Sequence, residues 1–193
     1  MNFKAYDILS SIVPGFLILM ALLMFFDTTF DKDMIIPYTV AAFLLGYTIN
    51  TFSSWLEDFY FFTWGGKPSS KLLDGKGIWK VRFYHSNEVK QLLLSDSGNN
   101  SAKNDVLFAI AMRSANGEKD QRVEDFSALY AFSRVLLTTV LLGSTIILIQ
   151  FYNDWRYYVI LIPIIGVFWL RSKQRAYYYA REVLNVYLKK KSS

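Results

Sequence analysis

Four long stretches of this chain carry no charge, and their lengths restrict the choice of solvent before any fold is considered. They cover residues 8–26, 34–56, 135–153 and 157–170, with 19, 23, 19 and 14 residues. A helix rises about 1.5 Å per residue and the hydrocarbon layer of a bilayer is about 30 Å thick, so about 20 apolar residues cross it. The first three runs meet that requirement. The fourth meets it if Arg156 and Arg171 extend their charged heads to the two interfaces while their stems stay in the apolar layer. It then pairs with the third run as a hairpin through Asp154-Trp155-Arg156. The other reading is a buried helix of a soluble core, the usual fate of apolar runs of about 10–14 residues. No small-residue cleavage site follows Phe26, and the first run exceeds a signal core in length, so it is expected to be retained.

Lysine and arginine set the expected orientation, because they stay on the cytoplasmic side of short loops. Of the 21 in the chain, all but Lys32 and Arg156 lie before the first run, between the second and third, or after the fourth. An even number of spans puts both termini on one side, and that side is the basic one. The segment between the second and third runs balances 11 positive against 10 negative residues. The tail from Arg171 sets seven positive charges against Glu182 alone. Aromatic residues cluster where interfaces are expected: Phe59 to Trp64, Phe151 to Tyr158, and Trp169 with Tyr177 to Tyr179. The expected division is residues 1–63 with spans at 8–26 and 34–56, a cytoplasmic domain at 64–132, spans at 135–153 and 157–170 within 133–170, and a basic cytoplasmic helix at 171–193.

Within the cytoplasmic domain, Gly65-Gly66-Lys67-Pro68-Ser69 ends the second span, and Ser69 or Ser70 is positioned to cap a short helix through Leu73. Trp79, Val81 and Phe83 alternate with Lys80 and Arg82, which predicts a short strand over 78–84. Ser86 and Glu88 open a helix to Leu94, and Asn104 or Asp105 caps another from Val106 to Asn116, ended by Gly117. From Glu118 the helical pattern continues without a breaker into the third span. In the tail, Ala176, Ala180, Val183, Leu184, Tyr187 and Leu188 recur at helical spacing opposite Arg175 and Arg181. That face suits packing on the loop domain, which alone is too small for a good core, or adsorption to anionic lipid.

Motifs with chemical content are few. There is no cysteine and one histidine, which removes disulfides, thiol nucleophiles and His-rich metal sites. Gly65-Gly66-Lys67-Pro68-Ser69 lacks the upstream glycine of a phosphate-binding loop, since Phe61 occupies its place, and reads as a turn. His85 beside Ser86 and Glu88 reads as a surface histidine, because triads are defined by geometry rather than adjacency. No enzymatic activity and no cofactor is expected. Gly46, Asn50, Ser53, Ser54 and Glu57 share one helical face, with Thr138 and Gly143 repeating the theme in the third span. They suit a helix–helix interface or the lining of a hydrated path in an oligomer. The absence of charge within the spans argues against an ion-coupled transporter. Trp79, Lys80, Arg82, Arg113, Arg122, Arg175 and Arg181 form the candidate cytoplasmic partner surface. Their stacking and cationic groups would also suit single-stranded nucleic acid, although a small core explains the aromatics of 79–84 more cheaply.

The chain's plan resembles that of small multi-pass membrane accessories of bacterial antiphage systems, such as those accompanying type VI-B CRISPR effectors and the membrane subunit of the Kiwa system. The resemblance is carried by Tyr6-Asp7 followed by Pro14-Gly15, by Trp64-Gly65-Gly66-Lys67-Pro68-Ser69, and by Tyr178-Tyr179-Ala180-Arg181-Glu182-Val183. It implies an oligomer that perturbs the membrane or docks a soluble partner. The expectation is an all-α integral protein of the inner membrane, with four transmembrane helices, a small mostly helical cytoplasmic domain and an amphipathic C-terminal helix. It would be a homo-oligomeric sensor or scaffold of a defence complex that docks a soluble cytoplasmic protein; the alternative is an effector that forms a pore or depolarises the membrane.

Overall fold

The computed structural model describes residues 5–117 and 121–192, and these are helical throughout apart from turns and loops. Eight α-helices follow one another: α1 (Ala5–Phe25), α2 (Ile35–Trp55), α3 (Glu57–Thr63), α4 (Pro68–Leu73), α5 (Ser86–Ser97), α6 (Asn104–Gly117), α7 (Gln121–Gln150) and α8 (Trp155–Ser192). A single 3-10 turn, Lys32–Met34, leads into α2, with the Asp31 carboxylate accepting from the Asp33 backbone N–H. No strand occurs among the described residues. Residues Glu118 to Asp120, where the helical pattern was expected to resume, lie outside them.

Among the described residues, two helices are long and apolar enough to cross a membrane: the segment Lys32–Trp55, which contains α2, and α7. Four spans were expected. The fourth run is not a separate helix at all, but the first part of α8, which continues unbroken through Arg171 into the polar tail. Likewise α7 is one helix of 30 residues that passes Arg134 without interruption.

The chain divides into two compact units. The first comprises Met1–Glu57 and Phe132–Leu170; the second comprises Asp58–Ala131 and Arg171–Ser193. In the first, α1 and α2 meet backbone to backbone. A methyl group built on Gly15 would overlap the Ala42 carbonyl, and one built on Gly46 would overlap the carbonyl of Ser11. Only glycine permits that approach. Among the described residues, Ile18, Ile49 and Val135 form an apolar cluster in this unit, with Leu22 and Leu45 against it. Its other buried residues include Ala21, Ala42 and Leu137, beside Ser53, Thr138 and Thr139. Their hydroxyls are spent on their own helices, as with Thr139 to the Val135 carbonyl at 2.8 Å and Ser53 to the Asn50 carbonyl at 2.9 Å. The exterior is apolar. Among the described residues, all exposed large apolar side chains except Phe59, Phe62, Trp79, Tyr84 and Val106 belong to this unit.

The second unit has a conventional core. Leu72 and Leu73 of α4, Val89 and Leu93 of α5, and Leu107 and Ala111 of α6 surround the polar half of α8, which buries Tyr177, Ala180, Val183, Leu184 and Tyr187. Of the two uses open to the tail's apolar stripe, packing is the one realised. The loops are pinned by charge. Lys67 Nζ reaches Asp105 at 2.9 Å, Ser70 Oγ donates to the same carboxylate at 3.1 Å, and Lys90 Nζ reaches Asp74 at 2.7 Å. Asn104 Nδ2 donates to the Ser70 carbonyl at 3.2 Å and to Asp74 at 3.0 Å. Asn104 and Asp105 therefore reach across to α4, where sequence spacing suggested local caps. Ser69 does not cap α4 either: Pro68 takes the first helical position after Lys67, and Ser69 is buried inside the helix. Gly65 and Gly66, at φ of 79° and 125°, make the reversal between α3 and α4 that a side chain would strain.

Candidate functional site

The expected strand over 78–84 is instead a tight turn. Ile78 and Val81 exchange both backbone hydrogen bonds, at 3.0 and 2.9 Å, leaving Trp79 and Lys80 at the two corner positions. Gly77 lies so close to the Val81 carbonyl that a Cβ there would overlap it. Val81 and Phe83 are buried in the core of the second unit, as alternation predicts. Trp79 is not: at 89% it is the most exposed large apolar side chain among the described residues, and Tyr84 is 83% exposed. The core explanation thus holds for Val81 and Phe83 and fails for Trp79 and Tyr84. Lys80 folds back with Nζ 5.1 Å from the centroid of Trp79, a cation–π contact, and Arg82 is exposed. From Gly75 to Tyr84 the chain carries Lys76, Lys80 and Arg82 and no carboxylate.

The other members of the expected partner surface separate from this turn. Arg122 binds Glu182 at 3.1 Å. Arg181 lies over the ring of Tyr178, with Cζ 5.1 Å from its centroid. Arg175 is half-buried, and Arg113 is exposed on α6. So Arg122 and Arg181 build the unit, whereas Trp79, Lys80 and Arg82 project from it. His85 Nδ1 lies 3.1 Å from Glu88 Oε2 on the exposed start of α5, a local pair.

Sequence reasoning missed the groups that bind α8 into the second unit. Glu182 is 5% exposed, the one acid in a basic tail, and its position beside Val183 and Leu184 on the buried stripe was the available signal. Asp96 accepts from Tyr187 Oη and from Lys191 Nζ, both at 2.8 Å. These bonds, from Lys191 first and Tyr187 second, hold the Asp96 carboxyl below the usual carboxylate range. Burial, and then the hydrogen bond it donates to Asp96, push the Tyr187 phenol above its ordinary value. Lys90 and then Asn104 lower Asp74, and Lys67 lowers Asp105. Aromatic pairs complete the seam: Tyr130 stacks on Tyr179 at 6.2 Å and 9°, and Phe126 lies 6.1 Å from Tyr178.

The polar residues of the first unit also divide. Gly46, Ser53 and Thr138 are buried, with Gly46 on the main chain of α1. Gly143 has the Ile18 side chain 3.6 Å from where its Cβ would be. These four make contacts between or within helices. Asn50 and Ser54 are exposed. Ser54 Oγ accepts from Arg134 Nη2 at 3.1 Å, and Arg134 Nη1 lies 2.7 Å from Glu57 Oε2. Among the described residues no cluster of His, Asp or Glu could hold a metal ion. Comparison of the chain with family models, with curated proteins and with solved structures yields no match.

Proposed function

We propose that this chain is an oligomeric inner-membrane sensor or scaffold of a bacterial antiphage defence system, and that its second unit docks a soluble cytoplasmic partner. In this reading α1, α2, the apolar part of α7 and the first part of α8 cross the bilayer, and both termini are cytoplasmic. The apolar exterior of the first unit supports the membrane assignment, since water would charge that surface its full transfer cost. The distribution of lysine and arginine supports the orientation.

The observation that carries docking is the Trp79 turn. A rigid turn that holds a tryptophan outward, with Lys80 and Arg82 beside it, has the composition of an interface anchor. Lysine and arginine next to an exposed ring favour an acidic partner surface. Because the chain contains no cysteine, single introduced cysteines report unambiguously. Lys103→Cys in intact cells should react with an impermeant maleimide only after the inner membrane is opened; labelling from outside would reverse the topology. A photo-crosslinking residue at position 79 should yield one discrete adduct with a soluble protein, and that partner should be lost from co-purification in Trp79→Ala. A full set of co-purifying proteins retained by Trp79→Ala would remove the turn from the docking surface.

A further inference from the structure

The second unit buries leucine, valine and tyrosine in its core, but α3 turns a pair of phenylalanines outward. Phe59 is 57% and Phe62 80% exposed, and a spacing of three puts them on one side of the helix. The other side is spent inside: Tyr60 and Trp64 are buried, with their rings stacked at 6.3 Å. Leu56 alone separates α3 from the end of α2 at Trp55. With α2 across the bilayer, α3 begins at the boundary of the hydrocarbon. Its seven residues span about 10 Å, close to the depth of a headgroup layer.

The far end of α3 is basic. Gly65 N–H donates to the Phe62 carbonyl at 3.0 Å, so the turn that closes α3 starts at Phe62. Lys71 folds back over this turn, with Nζ 3.0 Å from where a Gly65 Cβ would lie and Cε 3.5 Å from that of Gly66. Lys67 and Lys90 are paired with Asp105 and Asp74; the Lys71 ammonium makes no hydrogen bond or ion pair among the described residues. Lys173, half-buried on α8, is near enough to be repelled by it. Burial first, and then the Lys71 charge, lower the pKa of the Lys173 ammonium. Like charges held near one another at a turn without side chains favour an oxyanion between them. Asp58, an exposed carboxylate of α3, lies at the other end of the helix, next to Glu57, which is committed to Arg134.

We propose that the second unit carries a binding site for anionic phospholipid of the cytoplasmic leaflet, in which Lys71 and Lys173 hold the headgroup phosphate and Phe59 and Phe62 enter the acyl chains beside it. Apolar rings and paired cations occur together at the depth where α3 begins, and a lipid leaflet offers hydrocarbon and phosphate at that depth. An anionic headgroup supplies the phosphate without the choline or ethanolamine cation that would repel the lysines. The inference rests on the reading of α2 as bilayer-spanning, and it adds a lipid-selective contact to the second unit.

The test uses the full chain in lipid nanodiscs, with a fluorophore on single introduced cysteines and nitroxide quenchers on the lipid. Phe62→Cys should be quenched by lipid labelled near the headgroup. Phosphatidylglycerol should reach half-quenching at a lower mole fraction than phosphatidylcholine, by about fivefold for each lysine. Lys71→Gln with Lys173→Gln should abolish that preference, and Lys71→Arg with Lys173→Arg should keep it. Inorganic phosphate at millimolar concentration should leave it unchanged. A preference that is absent without the glutamine pair, survives that pair or is erased by free phosphate overturns the lipid site. Leu44→Cys, outward on α2, reports the spanning helix through lipid labelled deep in the acyl chain. If Leu44→Cys is quenched and Phe62→Cys is not, α2 spans and this inference falls. If neither is quenched, both fall.

Discussion

The two units of this protein are built to opposite specifications. The second hides leucine, valine and tyrosine from its surroundings and pins its loops with lysine–aspartate pairs. The first buries glycine, serine and threonine alongside a few aliphatic residues and turns most of its large isoleucine, leucine and phenylalanine side chains outward. In water the first arrangement would be unfavourable by about 25 cal/mol for each Å² of exposed apolar surface. In hydrocarbon the sign changes: apolar side chains gain nothing by hiding, and helices associate through close backbone contact and satisfied hydroxyls. The Gly15–Gly46 seam and the hydroxyl bonds inside α2 and α7 are the means available there. The difference teaches that burial, taken alone, does not identify a core; the solvent has to be named first.

The comparison can be broken at several points, in decreasing order of effect. Leu184→Ala empties a fully buried site in the second unit and should cost about 2–5 kcal/mol of stability, read as a lowered midpoint of denaturant unfolding. Leu44→Lys on the outward face of α2 should cost about 2.5–3.5 kcal/mol of insertion, seen as loss from the membrane fraction. Val106→Lys, equally outward but in the second unit, should stay within about 0.5 kcal/mol. Equal tolerance of the two lysines would erase the distinction between the units. Glu57→Gln leaves Arg134, whose side chain is 12% exposed, without its 2.7 Å carboxylate and should cost about 1–2 kcal/mol. Its coupling to Arg134→Gln in a double-mutant cycle checks that the loss belongs to this pair.

The smallest effect concerns pH. Asp96 titrates below the ordinary carboxylate value because Lys191 and Tyr187 bond to its charged form. A depressed folded value stabilises above the unfolded pKa, about 3.9, and that stability is lost as pH falls through the folded value. Tyr187→Phe removes one of the two bonds, so it should lose about 0.5–1.5 kcal/mol near neutrality and show a shallower decline in acid. An acid decline as steep as the wild type's would remove Tyr187 from this account.

Much of the helical plan was legible because its signals are long. The uninterrupted pattern before Val135 becomes the single helix α7, and the stripe from Ala176 to Tyr187 becomes the buried face of α8. Short signals misled. Alternation over 78–84 is satisfied by Val81 and Phe83 alone, and the same spacing accommodates a tight turn with Trp79 at its corner. The polar residues of α2 divide: Gly46 and Ser53 are buried, and Asn50 and Ser54 are exposed. Residues 46, 50 and 54 are spaced four and four, so each step advances about 40° around the helix. The buried line of Ala42, Gly46, Ile49 and Ser53 alternates four and three and holds its direction. Which of these residues is covered depends on where α1 packs, as at Gly46. The ties of Asp105 to Lys67 and Asp96 to Lys191 join residues far apart in sequence, which no local pattern records.

The contact at Gly15 and Gly46 involves main-chain atoms of α1 and α2 and nothing synthesised after Trp55. This helical hairpin can therefore settle while the ribosome is still making the remainder. Its fit does not wait on rotamers, partners or later segments.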